Sequence, residues 1–479
     1  MKELTERALN AAELSGASYA DVRIVHLRTQ SITVKNGHVE GLVQNHDQGC
    51  GVRVLVDGAW GFAGSSRLVL TEAAALAGRA VENARASSLA KGADVALGPA
   101  EAHVGNYRTP VRRDPFSIPI EQEIEFLLEL DRQMRGVKGI AVAEAAVECA
   151  RERKVFASTE GSYIEQELTE TGAGIEATAV SGTEVQTRSF PNSFGRHLAK
   201  AGYEMVPELD LEENAGRIAE EAVQLLTAPQ CPSLTGTLLL DSSQLALQIH
   251  ESCGHPTELD RVLGDEASFA GTSFLTLDKQ GSFRYGSPVV NIYADATVPG
   301  ALGTFGYDDE GVPAQRSPLV QDGVFVGYLT SRETAAMLGG RSNGSMRADG
   351  WNRIPLIRMT NINLEPGTWD LDDLIADTDD GVYMAVNKSW SIDDKRLNFQ
   401  FGTQLAYEIK HGRLGRLFKN PAYAGMTPEF WGSCDAVCSS RHWRVWGLPN
   451  CGKGQPAQAA HVAHGAAPAR FRNARIGIM

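Results

Sequence analysis

The sequence predicts an α+β protein of mixed domains, with antiparallel sheets and flanking helices and a last domain built on a large curved antiparallel β-sheet. Three observations predict it. Alternating apolar and polar runs, rich in β-branched residues, recur between tight-turn dipeptides such as Asn36-Gly37 and Asp57-Gly58. Amphipathic helical patterns separate those runs in the first half of the chain. Beyond Gly264, short strand patterns alternate with Gly, Pro and Asp turns, and helices become scarce.

Taken in order, residues 2–14 carry a helical pattern. Strand-like runs follow at Asp21–Leu27, Ser31–Lys35, Gly51–Val56 and Trp60–Gly64, then an Ala-rich helix over Thr71–Ala86. Ser87–Pro115 is irregular and polar and reads as a linker or flap. Ile120–Arg135 is helical, and Gly139–Arg153, Val155–Glu160, Ser162–Thr171 and Gly172–Val185 alternate like antiparallel strands. Leu211–Leu226 is a helix whose acidic start, Glu212 and Glu213, complements its dipole. Pro229 and Pro232 mark a boundary. Strand patterns then fall at Val289–Ala294, Val324–Thr330, Leu356–Leu364, Gly381–Val386 and Leu397–Lys410, with short helices at Arg332–Leu338 and Leu371–Ala376. A chain of 479 residues is too long for one core, and these breaks divide it into domains at 1–90, 91–228 and 229–479.

Composition excludes several function classes. Net charge is −14 and no basic block dominates, which argues against nucleic acid as the main partner. No apolar run is long enough to span a membrane, and the amphipathic start, Met1-Lys2-Glu3-Leu4-Thr5-Glu6-Arg7, lacks the apolar core of a signal peptide. Seven cysteines scattered over the chain do not make a disulfide framework. A reducing cytoplasm is the expected location.

The chemistry-bearing stretch is His250-Glu251-Ser252-Cys253-Gly254-His255. Neutral imidazole is a common zinc ligand, and a glutamate beside the metal's water can act as base. In the familiar zinc-peptidase helix the histidines stand four apart on one face. Here they stand five apart. At ~100° per residue, five steps place the second ring ~140° from the first. Gly254 tolerates unusual backbone, and Pro256 gives no N–H to residue 252. The spacing therefore predicts a helix that widens or breaks at 253–255, as a π-bulge would, so that both rings reach one metal. Asp241 or Ser242 caps that helix, with Gln244 in the capping-box position.

A catalytic zinc needs a third protein ligand. The residues leave three candidates open. One is a carboxylate at the helix end, Glu258 or Asp260. Another is Cys451, in the glycine-rich turn Asn450-Cys451-Gly452-Lys453-Gly454-Gln455-Pro456, where Lys453 would favour the thiolate. The last is Cys434, spaced with Cys438 and His442. Cys253 reads as a small core residue.

Together, His250-Glu251-x-x-x-His255 and the later Cys-Gly-Lys-Gly-Gln-Pro resemble the TldD/PmbA family of zinc metalloproteases, on the TldD branch. Gly311-Val312-Pro313-Ala314-Gln315, Arg358-Met359-Thr360-Asn361-Ile362, Pro468-Ala469-Arg470-Phe471-Arg472, Thr33-Val34-Lys35-Asn36-Gly37 and Gly49-Cys50-Gly51-Val52-Arg53 are similar to further pieces of that family, in the same order. The resemblance implies one zinc ion per chain held by His250, His255 and Cys451, with Glu251 as general base. It implies hydrolysis of peptides or unfolded polypeptides in an enclosed site. It also implies a homodimer, or a heterodimer with a PmbA/TldE-type subunit that lacks the motif. Two other readings stand beside it: a non-catalytic partner subunit of a protease dimer, and a metal-dependent amidohydrolase acting on small molecules. The stretch 432–444 matches no pattern of the family.

Overall fold

The computed structural model describes residues 1–193, 196–454 and 457–477. The helix Lys2–Leu14 leads into two long strands, Tyr19–Lys35 and His38–Val56, joined at Asn36-Gly37, where both residues have positive φ (48° and 81°). The expected Asp21–Leu27 and Ser31–Lys35 are halves of the first strand. The polar residues that interrupt the alternation, Arg28, Thr29 and Gln30, stay in the ladder opposite His46, Asn45 and Gln44. Ile140–Ser158 and Tyr163–Ser181 likewise each absorb two expected strands.

Tyr19–Lys35 also pairs with Ile140–Ser158, so one sheet runs through residues 59–65, 38–56, 19–35, 140–158, 163–181 and 104–108 in that order. Its last member, Val104–Arg108, lies parallel to Tyr163–Ser181 inside the stretch expected to be irregular. Strand alternation gives the sheet two unlike faces. On the even-numbered face of the first strand, Ala20, Val22 and Ile24 at one end and Ile32 and Val34 at the other are apolar and buried, with the polar His26, Arg28 and Gln30 between them. Val22 and Ile24 pack with the helices Lys2–Leu14 and Leu70–Ser88, and Ile32 and Val34 with Ile120–Arg135 and Leu211–Thr227. Each such buried side chain contributes roughly 1.5–3 kcal/mol. The opposite face carries charge toward the C-terminal region: Arg53 meets Asp21 (2.7 Å) and Glu310 (3.2 Å), and Lys154 meets Asp309 (2.8 Å). A cavity of about 350 Å³ lies in this seam, lined by residues including Leu27, Glu152, Glu170, Tyr307, Arg347 and His461.

The C-terminal region starts with Leu234–Leu240, fully buried over its last three residues. That strand pairs antiparallel with Ala469–Ile476 and parallel with Asp380–Ile392. Ala422–Met426 and Asn398–Lys410 continue the sheet, and Asn398–Lys410 pairs back onto Asp380–Ile392. The curved sheet therefore closes on itself, with one parallel joint among antiparallel ones. Phe399, Phe401, Tyr423, Phe430 and Phe471 stack within its core, the last two with ring centroids 4.0 Å apart. Beside it, Arg444–Lys453 and Gln458–Ala466 form a two-stranded ribbon packed on the helix Ser242–Ile249. Among the described residues, no helix is long and apolar enough to cross a membrane.

Candidate metal centre

Leu240 delivers the chain from the closed sheet straight into the helix Ser242–Ile249, which is buried on every side. Asp241 caps it, its carboxylate accepting from the Ser243 N–H (2.9 Å). Gln244 does not complete a capping box. It is wholly buried, and its amide instead donates to the Tyr423 hydroxyl (2.9 Å).

The helix widens into a π-turn over His250–Gly254 and then tightens into a 3₁₀ turn over His255–Thr257. The widening begins three residues before the expected 253–255, at the first histidine itself. Side chains take up the carbonyls that a change of helix type strands. The Ser252 hydroxyl donates to the Gln248 carbonyl (2.5 Å), and the Tyr285 hydroxyl to the Ser252 carbonyl (2.8 Å). Thr257 Oγ1 lies within 3.0 Å of the Cys253 carbonyl and 2.8 Å of the Gly254 carbonyl. Gly254 is required by contact, because a Cβ there would sit 2.0 Å from the Met359 sulfur. Cys253 faces the core, where burial pushes its thiol up to about 12.

The turn brings the imidazoles of His250 and His255 edge to face, with centroids 4.9 Å apart. Cys451 comes from the ribbon, its sulfur 3.8 Å from His255 Nε2. It stands in the strand Arg444–Lys453 opposite Ala460, not in a turn. Gln455 and Pro456 of that run lie outside the described residues. One ligand atom from each of His250, His255 and Cys451 falls within 4.8 Å of the others, the one His/Cys/Asp/Glu group among the described residues arranged to hold a metal ion.

The donor set fits zinc. With bonds of about 2.0–2.3 Å, a tetrahedral ion separates its ligand atoms by about 3.4–3.6 Å, so closing the widest gap takes about 1 Å of side-chain movement. The free nitrogens are already selected. His464 Nδ1 donates to the Ile362 carbonyl (3.0 Å), which leaves its Nε2 to accept from His250 Nδ1 (2.8 Å). His250 therefore presents Nε2 as a lone pair. Burial holds both rings below the usual imidazole range. His255 Nδ1 donates to Glu258 Oε2 (2.8 Å) and likewise frees its Nε2. Cys451 is buried, which alone would raise its thiol, but His255 and then Arg358 hold it below the ordinary range.

The other candidate ligands serve elsewhere. Glu258 orients His255, and Asp260 pairs with Lys453 (2.7 Å). Lys453 lies 3.5 Å from Glu258 and 3.6 Å from Glu266, so it compensates carboxylates rather than facing the thiolate as its proximity in sequence suggested. His442 bonds Asp370 (3.1 Å), and Cys434 and Cys438 are buried with thiols pushed up to about 12. Arg358, in the family-like run 358–362, clamps the ribbon by donating to the Cys451 and Gln458 carbonyls (2.5 and 3.1 Å).

Glu251 lies beside the triad and is 5% exposed. Arg396 donates to its Oε2, and the Trp390 indole bonds the same carboxylate. Burial would raise this carboxyl, but His250, His255 and Arg396 together hold it below the usual range. Sequence reasoning missed His464, Arg396 and Trp390. His464 did leave a signal: it is a lone imidazole on the Ala460, Val462, His464 face of an alternating strand.

Three comparisons with known proteins bear on this arrangement. The PmbA/TldA metallopeptidase C-terminal domain matches residues 233–477, domain 1 matches 20–87 and the central domain matches 113–228. The chain is 30% identical over 427 residues to a metalloprotease of Methanocaldococcus jannaschii, covering 88% of this chain and 90% of that one. It is 26% identical over 191 residues to the zinc metalloprotease TldD homolog of Saccharolobus solfataricus, covering 40% and 41% of the two chains. Its fold matches the crystal structure of TldE from Thermococcus kodakarensis with a TM-score of 0.74 at 17% identity, over 99% of each chain.

Proposed function

The chain belongs to the PmbA/TldD metallopeptidase family, and from that premise we propose that it is a zinc-dependent peptidase in which His250, His255 and Cys451 hold one zinc ion and Glu251 is the general base. The observation that carries this reading is the convergence of the three ligand atoms within 4.8 Å, with the Glu251 carboxylate close enough to interact with both His250 and His255. A purely structural site has no use for that carboxylate. When bound, zinc supplies Lewis acidity, which acidifies water and polarises a carbonyl.

The chain's own residues do the rest. His464 and Glu258 fix the two rings so that little rearrangement accompanies metal binding. Glu251, ionised, takes a proton from the attacking water and delivers it to the leaving amine nitrogen. The centre is closed in: His250, Glu251, His255 and Cys451 are each no more than 5% exposed. That burial favours substrates able to thread in as extended chain, so we assign peptides and unfolded polypeptides as the substrate class. Strands flanking the site would let such a chain add by backbone pairing. We take residues 229–479 as the catalytic domain. We place the chain in a dimer, with itself or with a TldE-type subunit, and in the cytoplasm; all seven of its cysteines are free thiols, which suits a reducing compartment.

The test is Glu251→Gln, assayed on fluorescein-labelled casein with zinc per chain measured alongside. Loss of hydrolysis with zinc retained is expected. Undiminished hydrolysis would remove Glu251 as base. A wild type that cleaves small amides but no polypeptide would move the assignment to an amidohydrolase.

A further inference from the structure

Above Glu251 the strands Asp380–Ile392 and Asn398–Lys410 are joined by a turn over residues 393–397. The turn is tightly built. The Asp393 carboxylate accepts from the Leu397 N–H (2.7 Å), the Asn398 N–H (3.1 Å) and the Asn398 side chain (2.6 Å). Arg261 donates to the Asp394 carbonyl (2.9 Å), and Thr427 Oγ1 to the Arg396 carbonyl (3.0 Å). Within it, Arg396 adopts φ 62°, a left-handed conformation that a non-glycine residue holds only at a cost.

That strained residue aims its guanidinium at the candidate centre. Nη1 donates to Glu251 Oε2, while Nε is buried with no acceptor among the described residues. A buried donor without an acceptor is disfavoured and calls for explanation. An arginine serving only to anchor Glu251 would need neither a strained backbone nor an idle Nε–H. A peptidase site does need a donor at the oxygen where charge develops, and the residues assigned so far supply none.

We propose that Arg396 is that donor: it keeps one N–H on Glu251 and offers Nε–H to the carbonyl oxygen of the scissile peptide. This inference rests on the peptidase reading above. Water oxygen bonds to the carbonyl carbon, and the C=O π pair moves onto oxygen, whose charge the guanidinium stabilises. Glu251 takes the water proton. The pair then returns to re-form C=O, the C–N bond breaks, and the nitrogen takes the proton from Glu251. The products are a carboxylic acid and an amine. Because one guanidinium spans base and oxyanion, it also fixes the distance between them. Trp390, 41% exposed and bonded to the same carboxylate, stands beside this position as an apolar wall.

The test uses zinc-loaded full-length chain and two probes: fluorescein-labelled casein, and a phosphinic pseudopeptide whose tetrahedral phosphorus mimics the oxyanion. For Arg396→Ala and Arg396→Lys, zinc content should match wild type. The kcat for casein should fall about 10²–10³-fold with KM little changed, the loss typical of one missing oxyanion donor. Phosphinate affinity should fall comparably, whereas a matched amide peptide should bind Glu251→Gln/Arg396→Ala as it binds Glu251→Gln. Millimolar methylguanidine should restore part of the activity of Arg396→Ala. If both Arg396 variants bind the phosphinate as tightly as wild type, the inference is overturned, and Arg396 merely holds Glu251. If zinc-loaded wild type neither cleaves casein nor binds the phosphinate, the peptidase reading itself falls.

Discussion

His464→Phe isolates the part of the centre that touches no substrate. The replacement keeps a flat ring in a fully buried position and removes both nitrogens. The two hydrogen bonds lost are those to His250 Nδ1 (2.8 Å) and the Ile362 carbonyl (3.0 Å), and each stranded group costs about 1–3 kcal/mol when buried. The His250 ring is then free to turn or to change tautomer, so Nε2 is no longer committed to the metal. Loss of such an outer partner lowers metal affinity about 10–100-fold. That corresponds to about 1.4–2.8 kcal/mol at 1.4 kcal/mol per tenfold. Zinc affinity would be read by competition with a chromophoric chelator, with the melting temperature of the metal-free forms as a control. His464→Gln supplies an acceptor for His250 and a donor for Ile362 in one amide, so it should recover most of the loss. The reasoning is refuted if His464→Phe binds zinc as tightly as wild type.

Cys451→Ala should leave much less than one zinc per chain, read by mass spectrometry after purification without chelator; zinc equal to wild type would return Glu258 and Asp260 to consideration. Gly254→Ala puts a Cβ 2.0 Å from the Met359 sulfur and should cost about 1–3 kcal/mol in urea unfolding. Combined with Met359→Ala, its cost should be less than additive, and simple additivity would show that the clash is not the cause. Glu123 is buried against Gln30, and burial raises its carboxyl from 4.5 to about 7. The sign follows: the folded state favours the neutral acid, so this contribution to stability is fully present below 4.5 and is lost as pH rises through about 7. Glu123→Gln, permanently neutral, should therefore gain melting temperature relative to wild type on going from about pH 5 to about pH 8, and an unchanged difference would contradict the assignment.

The sequence made the α+β class legible because its strands alternate and its turns carry Asn-Gly and Asp-Gly. It divided the strands too finely. Polar interruptions such as Arg28-Thr29-Gln30 look like breaks in isolation, but the neighbouring strands continue the ladder past them. The strand Arg444–Lys453 escaped notice because Gly447 and Pro449-Asn450 interrupt it, and Gln458–Ala466 and Ala469–Ile476 because Ala and Arg carry little β-signal; burial against the helix and the closed sheet makes strands of them. At the centre, His250, Glu251 and His255 announced themselves by adjacency. Closure of the sheet left no mark in the chain, since it depends on Asp380–Ile392 pairing with partners at 234–240 and 398–410 at once. Arg396 was invisible for the same reason, as its distance from Glu251 is set by a turn 145 residues away.

The five-residue spacing, one longer than in the four-residue helix motif, explains why the neighbourhood is so heavily built. A straight helix would present the rings on different faces. The π-turn corrects this only if its stranded carbonyls are met, which is what Ser252, Tyr285 and Thr257 do. Each ring then needs its own outer partner, because a widened turn orients side chains less firmly than a regular one. His464 comes from the ribbon that also brings Cys451, so one element both carries one proposed ligand and aims another. Arg358 and Lys453 lock that ribbon by donating to the Cys451 carbonyl and the Ile357 carbonyl. On the proposed ligand set, metal affinity follows from the ribbon's docking on the helix, and substitutions that loosen the ribbon should weaken it without touching a ligand.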